Sequence, residues 1–313
     1  MQLAPDRDTL DTKPFAKAFS TSLPLPAVLD PHFEEALRHV LDHPGSLVRP
    51  RLVFQMATAY GMNSAHAQDL AIALEYFHTA SLLFDDLPCM DNAQERRGVP
   101  CAHLAFGEAG AILTALALIN RAYALTWRAV SGAAHGVQPK ALAYIEQCLG
   151  VEGVLNGQSL DLHYATLPHT RGVTESIARG KTVSMIRLTL VLPAILGVAS
   201  AREIQLIERI SMFWGLGYQI VDDLKDVLQG AEESGKTSAR DVLLDRPNTA
   251  VVSGARGAVR RLKRYLRLGD GALENLLRLQ PRLGFLGKLR SELEEELTRV
   301  TGDACVLAAG DAA

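Results

Sequence analysis

Apolar residues in this 313-residue chain recur three and four positions apart, and almost nowhere do they alternate. That spacing puts them on one face of a helix. The run AHAQDLAIALEYFHTASLLFDD predicts a long helix with Ser64 at its cap. The Ala- and Leu-rich stretch from Glu108 to Val130 predicts a second. Ile204 to Asp226 predicts a third, and Leu283 to Arg299 a fourth, amphipathic one. Strand signals are nearly absent, with few alternating runs and no hairpin turn pairs. No internal repeat or low-complexity linker divides the chain. The pattern therefore predicts an all-α protein with one domain over 26–301. About ten helices of ordinary size fit that length. A loose arm is expected over 1–25 and a small-residue tail over 302–313.

Composition narrows the function. Hydrophobic residues make up 48% of the chain, and the formal net charge is -3. That is ample apolar material for a large core, and too little positive charge to follow a nucleic-acid backbone. A diphosphate needs only a few local cations, so the acidic total does not exclude one. The four cysteines, Cys89, Cys101, Cys148 and Cys305, show neither CxxC pairing nor zinc-ligand spacing. The N-terminus lacks the basic-then-apolar order of a signal peptide. No charge-free apolar stretch of spanning length stands out, so a cytoplasmic protein without a membrane span is expected.

Two carboxylate clusters carry the chemistry. Asp85, Asp86 and Asp91 lie in FDDLPCMD at the end of a strongly apolar helix. Pro88 breaks that helix, so Asp91 is expected to reach back from a bend. Asp222, Asp223 and Asp226 lie in QIVDDLKDV, where Asp222 and Asp226 share a helix face. Either cluster alone reads as an ordinary solvated helix end. Together, each closing a long apolar helix, they point to divalent cations between repelling carboxylates. Oxygen-only ligands favour Mg²⁺, which also keeps waters and substrate phosphates in its shell.

Cations follow these clusters. Arg96 and Arg97 come directly after the first, in ERRGVP, and Lys236 comes just past the second. Lys181 and Thr182 lie in ARGKTVS, and Arg49 and Arg51 in SLVRPRL. Each alone reads as a surface charge; arginines paired beside an aspartate cluster are the informative case. His78, seven residues before Asp85, lies on nearly the same helix face, with Ser81 between them and Leu74 below. A polar mouth above an apolar shaft results. A lone histidine on such a helix is equally well a core residue.

FDDLPCMDNAQERRGVP resembles the first aspartate-rich motif of the trans-isoprenyl diphosphate synthases, and GYQIVDDLKDV resembles the second. GQSLD (Gln158, Asp161), GKT (Lys181, Thr182) and GKTSARD (Lys236) follow in the family's order, so the resemblance runs from Arg49 to Asp241. It implies an isoprenoid synthase-type bundle of about ten or more helices around a deep central cavity. It also implies a homodimer. Three Mg²⁺ ions are implied, two held by Asp85 and Asp91 and a third by Asp222, with Asp86, Asp223 and Asp226 expected as metal-binding residues of the same motifs. Arg96, Lys181, Thr182, Gln219 and Lys236 are expected to grip an allylic diphosphate. Arg49, His78 and Arg97 are expected to grip isopentenyl diphosphate. The implied reaction is ionisation of the allylic substrate, then attack by the isopentenyl double bond.

The chain also departs from the family. Where GGKRxRP is usual, it has Pro44-Gly45-Ser46-Leu47-Val48-Arg49-Pro50, with Ser46 in place of a lysine that meets isopentenyl diphosphate. Arg51 is a candidate to compensate. The linker Asn92-Ala93-Gln94-Glu95 is less acidic than usual, and a late lysine is replaced near Arg246-Pro247. Three functions remain open: a chain-elongating synthase, a terpene cyclase on the same fold, and a non-catalytic modulatory subunit. For a synthase, the small Ala80 and Ser81 below Asp85 leave the shaft open, and Phe77 lies about two turns below Asp85. The expected product is geranylgeranyl diphosphate (C20), with farnesyl diphosphate second.

Overall fold

A computed structural model describes residues 13–228 and 246–310, with side chains to residue 300. The described residues are helical almost throughout. They form two compact units, one from residues 1–142 with 193–198, the other from residues 143–192 with 199–313.

The first unit contains α1 (Lys13–Thr21), α2 (Pro31–Leu41), α3 (Val48–Ala59), α4 (Ser64–Asp85) and α5 (Ala102–Ser131). Its core is α4, which packs on α5, α3 and α1. Leu70, Ala71, Ile72, Ala73, Leu74, Tyr76 and Ala80 are all buried. Each large one contributes about 1.5–3 kcal/mol. The cap of α4 is Asn63, one residue earlier than the sequence predicts; its side chain accepts the amide of Ala65 at 2.9 Å. The helix stops at Asp85, ahead of Pro88, as expected. The bend beyond it is closed by the amide of Asp91, which donates to the Asp85 carbonyl at 2.9 Å.

Three details differ from the sequence reading. The arm expected to be loose over 1–25 contains α1, whose Phe15 and Phe19 are buried. Phe19 meets Tyr76 edge-on at 5.0 Å, and the Tyr76 hydroxyl donates to its carbonyl. ERRGVP forms a two-stranded antiparallel hairpin, Glu95–Arg96 with Val99–Pro100, too short to show alternation. And α5 is long and apolar enough, by length and composition, to cross a bilayer.

The second unit contains α7 (Val154–Leu162), α8 (Arg171–Ala178), α10 (Ala201–Leu228), α11 (Thr249–Ser253), α12 (Ala255–Leu279) and α13 (Phe285–Gly310). The unit boundaries fall within α6 (Gln138–Leu149) and α9 (Ser184–Leu196). α10 is its core helix, packing on α12, α13 and α11. A π-helical turn, Arg179–Val183, joins α8 to α9. Such turns concentrate at functional sites. The helix of α13 continues into the stretch expected to be a loose tail, as far as Gly310.

Candidate active site

In the first unit, α3, the second half of α4 and the bend and hairpin after it carry ten of the predicted residues. Asp85 and Asp91 are half-buried and meet across the bend that Pro88 forces. Asp86 points elsewhere. It is 2% exposed, and Arg96 holds it from the hairpin. Nε of Arg96 donates to both its oxygens at 3.1 Å, and Nη2 to Oδ1 at 2.5 Å. This bidentate geometry is the strong form of the arginine–carboxylate contact. The Asp86 carboxylate is thus taken by Arg96, while Asp85 and Asp91 stay partly exposed.

About three turns before Asp86 on α4 lies a group that sequence reasoning passed over. Glu75 is 3% exposed and sits between Arg49 and Arg97, with one oxygen 3.4 Å from each guanidinium. Burial pushes its carboxyl above the ordinary range, against the two arginines, which hold it down. Arg97 is fixed further by donating to the His43 carbonyl at 2.9 Å. Its guanidinium lies across Gly45, where an added Cβ would come within 2.6 Å of Nε. Gly45 has φ +75°, so the position suits glycine twice over. His78 follows Glu75 on α4. Burial first, then Arg49, Arg97 and Arg96, hold its imidazole well below the ordinary value, so it is neutral near pH 7. Arg51 does not join Arg49: two residues further along α3 it stands roughly 200° around the helix.

On α4, Ala80 is fully buried, and the Ser81 hydroxyl donates to the His78 carbonyl at 2.8 Å. Phe77 is buried and packs edge-on against Tyr123 of α5, with ring centroids 4.9 Å apart.

In the second unit, Lys181 and Thr182 ride on the π-helical turn. Gly157 of GQSLD lies against Gly180, so closely that a Cβ on Gly157 would sit 2.3 Å from the Lys181 nitrogen. This contact sets Lys181 beside α7, where Nζ is 2.9 Å from Oδ2 of Asp161. Arg246 joins the same aspartate, donating to its carbonyl at 3.1 Å. A hydrogen-bond chain then runs to the second aspartate motif. Thr182 Oγ1 donates to Gln219 Oε1 at 2.6 Å, and Gln219 Nε2 donates to Asp223 Oδ1 at 2.9 Å. The far oxygen of Asp223 accepts the amide of Thr249 at 2.7 Å, and Asn248 donates to its carbonyl. Asp223 is 2% exposed. Asp222 and Asp226 are half-buried on α10. Lys236 lies outside the described residues.

A sequence profile of the polyprenyl synthetase family matches residues 30–271. The chain belongs to that family, the trans-isoprenyl diphosphate synthases. It is 37% identical over 214 residues to "Putative geranylgeranyl pyrophosphate synthase 8, chloroplastic" of Arabidopsis thaliana, a match covering 67% of this chain and 59% of that protein. It is 35% identical over 254 residues to "Geranylgeranyl pyrophosphate synthase 9, chloroplastic" of the same plant, covering 79% and 70%. The chain thus spans about three-fifths of the first of these relatives. The fold is the isoprenoid synthase fold. The crystal structure of "geranyltransferase from helicobacter pylori complexed with magnesium and isoprenyl diphosphate" superposes with a TM-score of 0.75, at 24% identity, covering 93% of each chain.

The donor set of this synthase fold suits Mg²⁺. Among the described residues no three His, Cys, Asp or Glu side chains converge into a ready cage. Each motif instead has two half-buried aspartates, Asp85 with Asp91 and Asp222 with Asp226, beside a middle aspartate that is buried and committed to internal bonds. Mg²⁺ is commonly held by one or two carboxylates, with waters and substrate phosphates completing the octahedron.

Glu75 and Asp161 were the residues hardest to find from sequence. Glu75 did leave a trace, being the single acid in the largely apolar run from Leu70 to Ser81. Asp161 was visible only as part of GQSLD, with no sign that Lys181 and Arg246 meet there.

Proposed function

We propose that the protein is a Mg²⁺-dependent trans-prenyltransferase that condenses isopentenyl diphosphate with an allylic diphosphate, with geranylgeranyl diphosphate as its main product. Bound Mg²⁺ supplies charge that weakens the bond between the allylic carbon and its diphosphate. Asp85, Asp91 and Asp222 are the residues proposed to hold three ions. Lys181, Thr182, Gln219, Arg96 and Lys236 bind the allylic diphosphate and orient its leaving oxygen. Arg49 and Arg97 bind the isopentenyl diphosphate, and neutral His78 donates a hydrogen bond to it. The departing pyrophosphate takes up the proton released on condensation.

The observation that carries this reading over a cyclase is the Arg49–Glu75–Arg97 cluster. A cyclase has no second diphosphate to hold, yet two arginines are kept together here around a buried carboxylate. Product length rests on α4, where Ala80 and Ser81 offer no ring and Phe77 braced by Tyr123 is the first. Names of the plant relatives, geranylgeranyl pyrophosphate synthases, agree.

The homodimer is proposed for α5. Ile112, Leu116, Tyr123 and Trp127 are exposed and share one face by their spacing, with Leu113 beside them. A second copy covers this stripe, and the protein works in the cytoplasm. Trp127→Glu should then give a monomer in sedimentation, where wild type is a dimer.

One assay tests the reaction. Purified protein with Mg²⁺ and farnesyl diphosphate should make geranylgeranyl diphosphate only when isopentenyl diphosphate is present. Hydrocarbon or alcohol formed from farnesyl diphosphate alone would establish the cyclase instead, and no turnover with either would favour the modulatory subunit.

A further inference from the structure

The second aspartate motif holds a cation inside itself. Its sequence is Asp222-Asp223-Leu224-Lys225-Asp226, so Lys225 stands three residues after Asp222 and directly before Asp226. Helical positions i and i+3 are neighbours, and an acid placed N-terminal to a base is the favourable order for pairing. Left alone, the Lys225 ammonium would fold onto the Asp222 carboxylate. It would then occupy an oxygen meant for a metal and repel the metal itself.

The structure directs Lys225 elsewhere. Its ammonium pairs with Glu296 of α13, the C-terminal helix, which packs along α10. Glu296 is largely covered, with side-chain exposure of 13%, and Lys225 is 30% exposed. Arg299, one turn on, pairs with the same carboxylate. Lys225 still lies within reach of Asp222, one helical turn back on α10. The lysine therefore stands between two carboxylates, one on its own helix and one on α13.

We propose that Glu296 is a positioning residue that draws Lys225 away from Asp222, so that the C-terminal helix sets how tightly the second aspartate motif takes up Mg²⁺. This rests on the reading of Asp222 as a metal ligand. Nothing about substrate shape enters, so the effect should show in metal dependence before it shows in product.

The experiment is a double-mutant cycle on full-length protein, measuring activity against Mg²⁺ concentration at saturating substrates and, without turnover, the Mg²⁺ concentration that half-completes the rise in melting temperature with inorganic pyrophosphate. Glu296→Gln should raise the half-saturating Mg²⁺ concentration by about fivefold or more, since one freed charge competes at close range. The maximal rate at high Mg²⁺ should stay near wild type. Lys225→Met alone should not raise the Mg²⁺ requirement. In the Lys225→Met background, Glu296→Gln should have no further effect. An unchanged Mg²⁺ curve for Glu296→Gln overturns the inference. So does an equal shift with and without Lys225, which would mean the lost charge acts through the general field. Thermal melts by circular dichroism identify a variant that merely unfolds; Glu296→Asp, keeping the charge, should then restore the wild-type Mg²⁺ curve, and failure to do so overturns the inference. If wild type and Asp222→Ala show the same Mg²⁺ dependence, the metal-ligand reading itself fails, a result distinct from all of these.

Discussion

Glu75 Oε1 lies 3.4 Å from Nη2 of Arg97, and its other oxygen is equally far from Nη1 of Arg49, with the carboxylate almost wholly out of water. A buried carboxylate is costly even when paired, and here burial outweighs both arginines in shifting its titration upward. The residue therefore does not stabilise the fold at neutral pH. Its raised value means its contribution to stability is full below the ordinary carboxylate range and is lost as pH rises through the folded value.

Glu75→Gln should accordingly melt no lower than wild type at pH 7, and its advantage should shrink as pH falls toward 4.5. Its KM for isopentenyl diphosphate should rise roughly tenfold, the effect of about 1.4 kcal/mol of lost preorganisation. The KM for the allylic substrate should hold. Equal rises in both KM values would show that the carboxylate supports the fold rather than the arginine pair.

Asp85→Ala and Asp222→Ala should each lower kcat on the order of a thousandfold, since several kcal/mol of charge stabilisation leave with a metal ligand. Asp86→Ala should behave differently. Its carboxylate is bound to Arg96, so the loss should appear partly as a lower melting temperature. Steady-state rates and melts on the three variants check this.

Ser46 is exposed and follows Gly45, the residue over which the Arg97 guanidinium lies. Ser46→Lys should place a third cation beside Arg97 and lower the KM for isopentenyl diphosphate several-fold. The allylic KM should not move. An unchanged isopentenyl KM would mean that the two arginines already saturate the site.

Ala80 has no free surface, and Phe77 is backed by Tyr123. Ser81→Phe should shift product from C20 toward C15 by filling the proposed shaft below Asp85, while Ala80→Tyr, which overpacks a site with no free surface, should also lower the melting temperature. Phe77→Ala should lengthen product beyond C20, at a stability cost of about 3–5 kcal/mol for the ring removed. Chromatography of dephosphorylated products reads all three.

His78 remains neutral to well below pH 6.5 because burial and three arginines oppose its charge. Its depressed value makes its contribution to stability full above pH 6.5 and lost as pH falls through the folded value. His78→Gln should flatten that acid-side loss, which urea titrations between pH 5 and 7 would record.

Helical periodicity alone determined that this chain is all-α, and it placed α4 and α10 to within three residues, while α5 begins six residues earlier and α13 runs eleven residues further than the spacing predicts. Pro88 determined the bend that brings Asp91 back to Asp85. The two aspartate motifs determined the family. What periodicity cannot encode is the partner of each polar side chain. It leaves Asp85 and Asp86 alike, yet the fold keeps one half-buried and buries the other against Arg96. It leaves Asp222 and Asp223 alike, yet Asp223 holds the amide of Thr249, 26 residues away. It gives no sign that Glu75 gathers Arg49 and Arg97, or that Glu296 takes Lys225. Even α1, a short helix behind an expected loose arm, became fixed only when Phe19 found Tyr76. A helix face is a local property of spacing. Which carboxylates stay open to metal depends on long-range packing, because a buried charge must take whatever partner the neighbouring element brings to it.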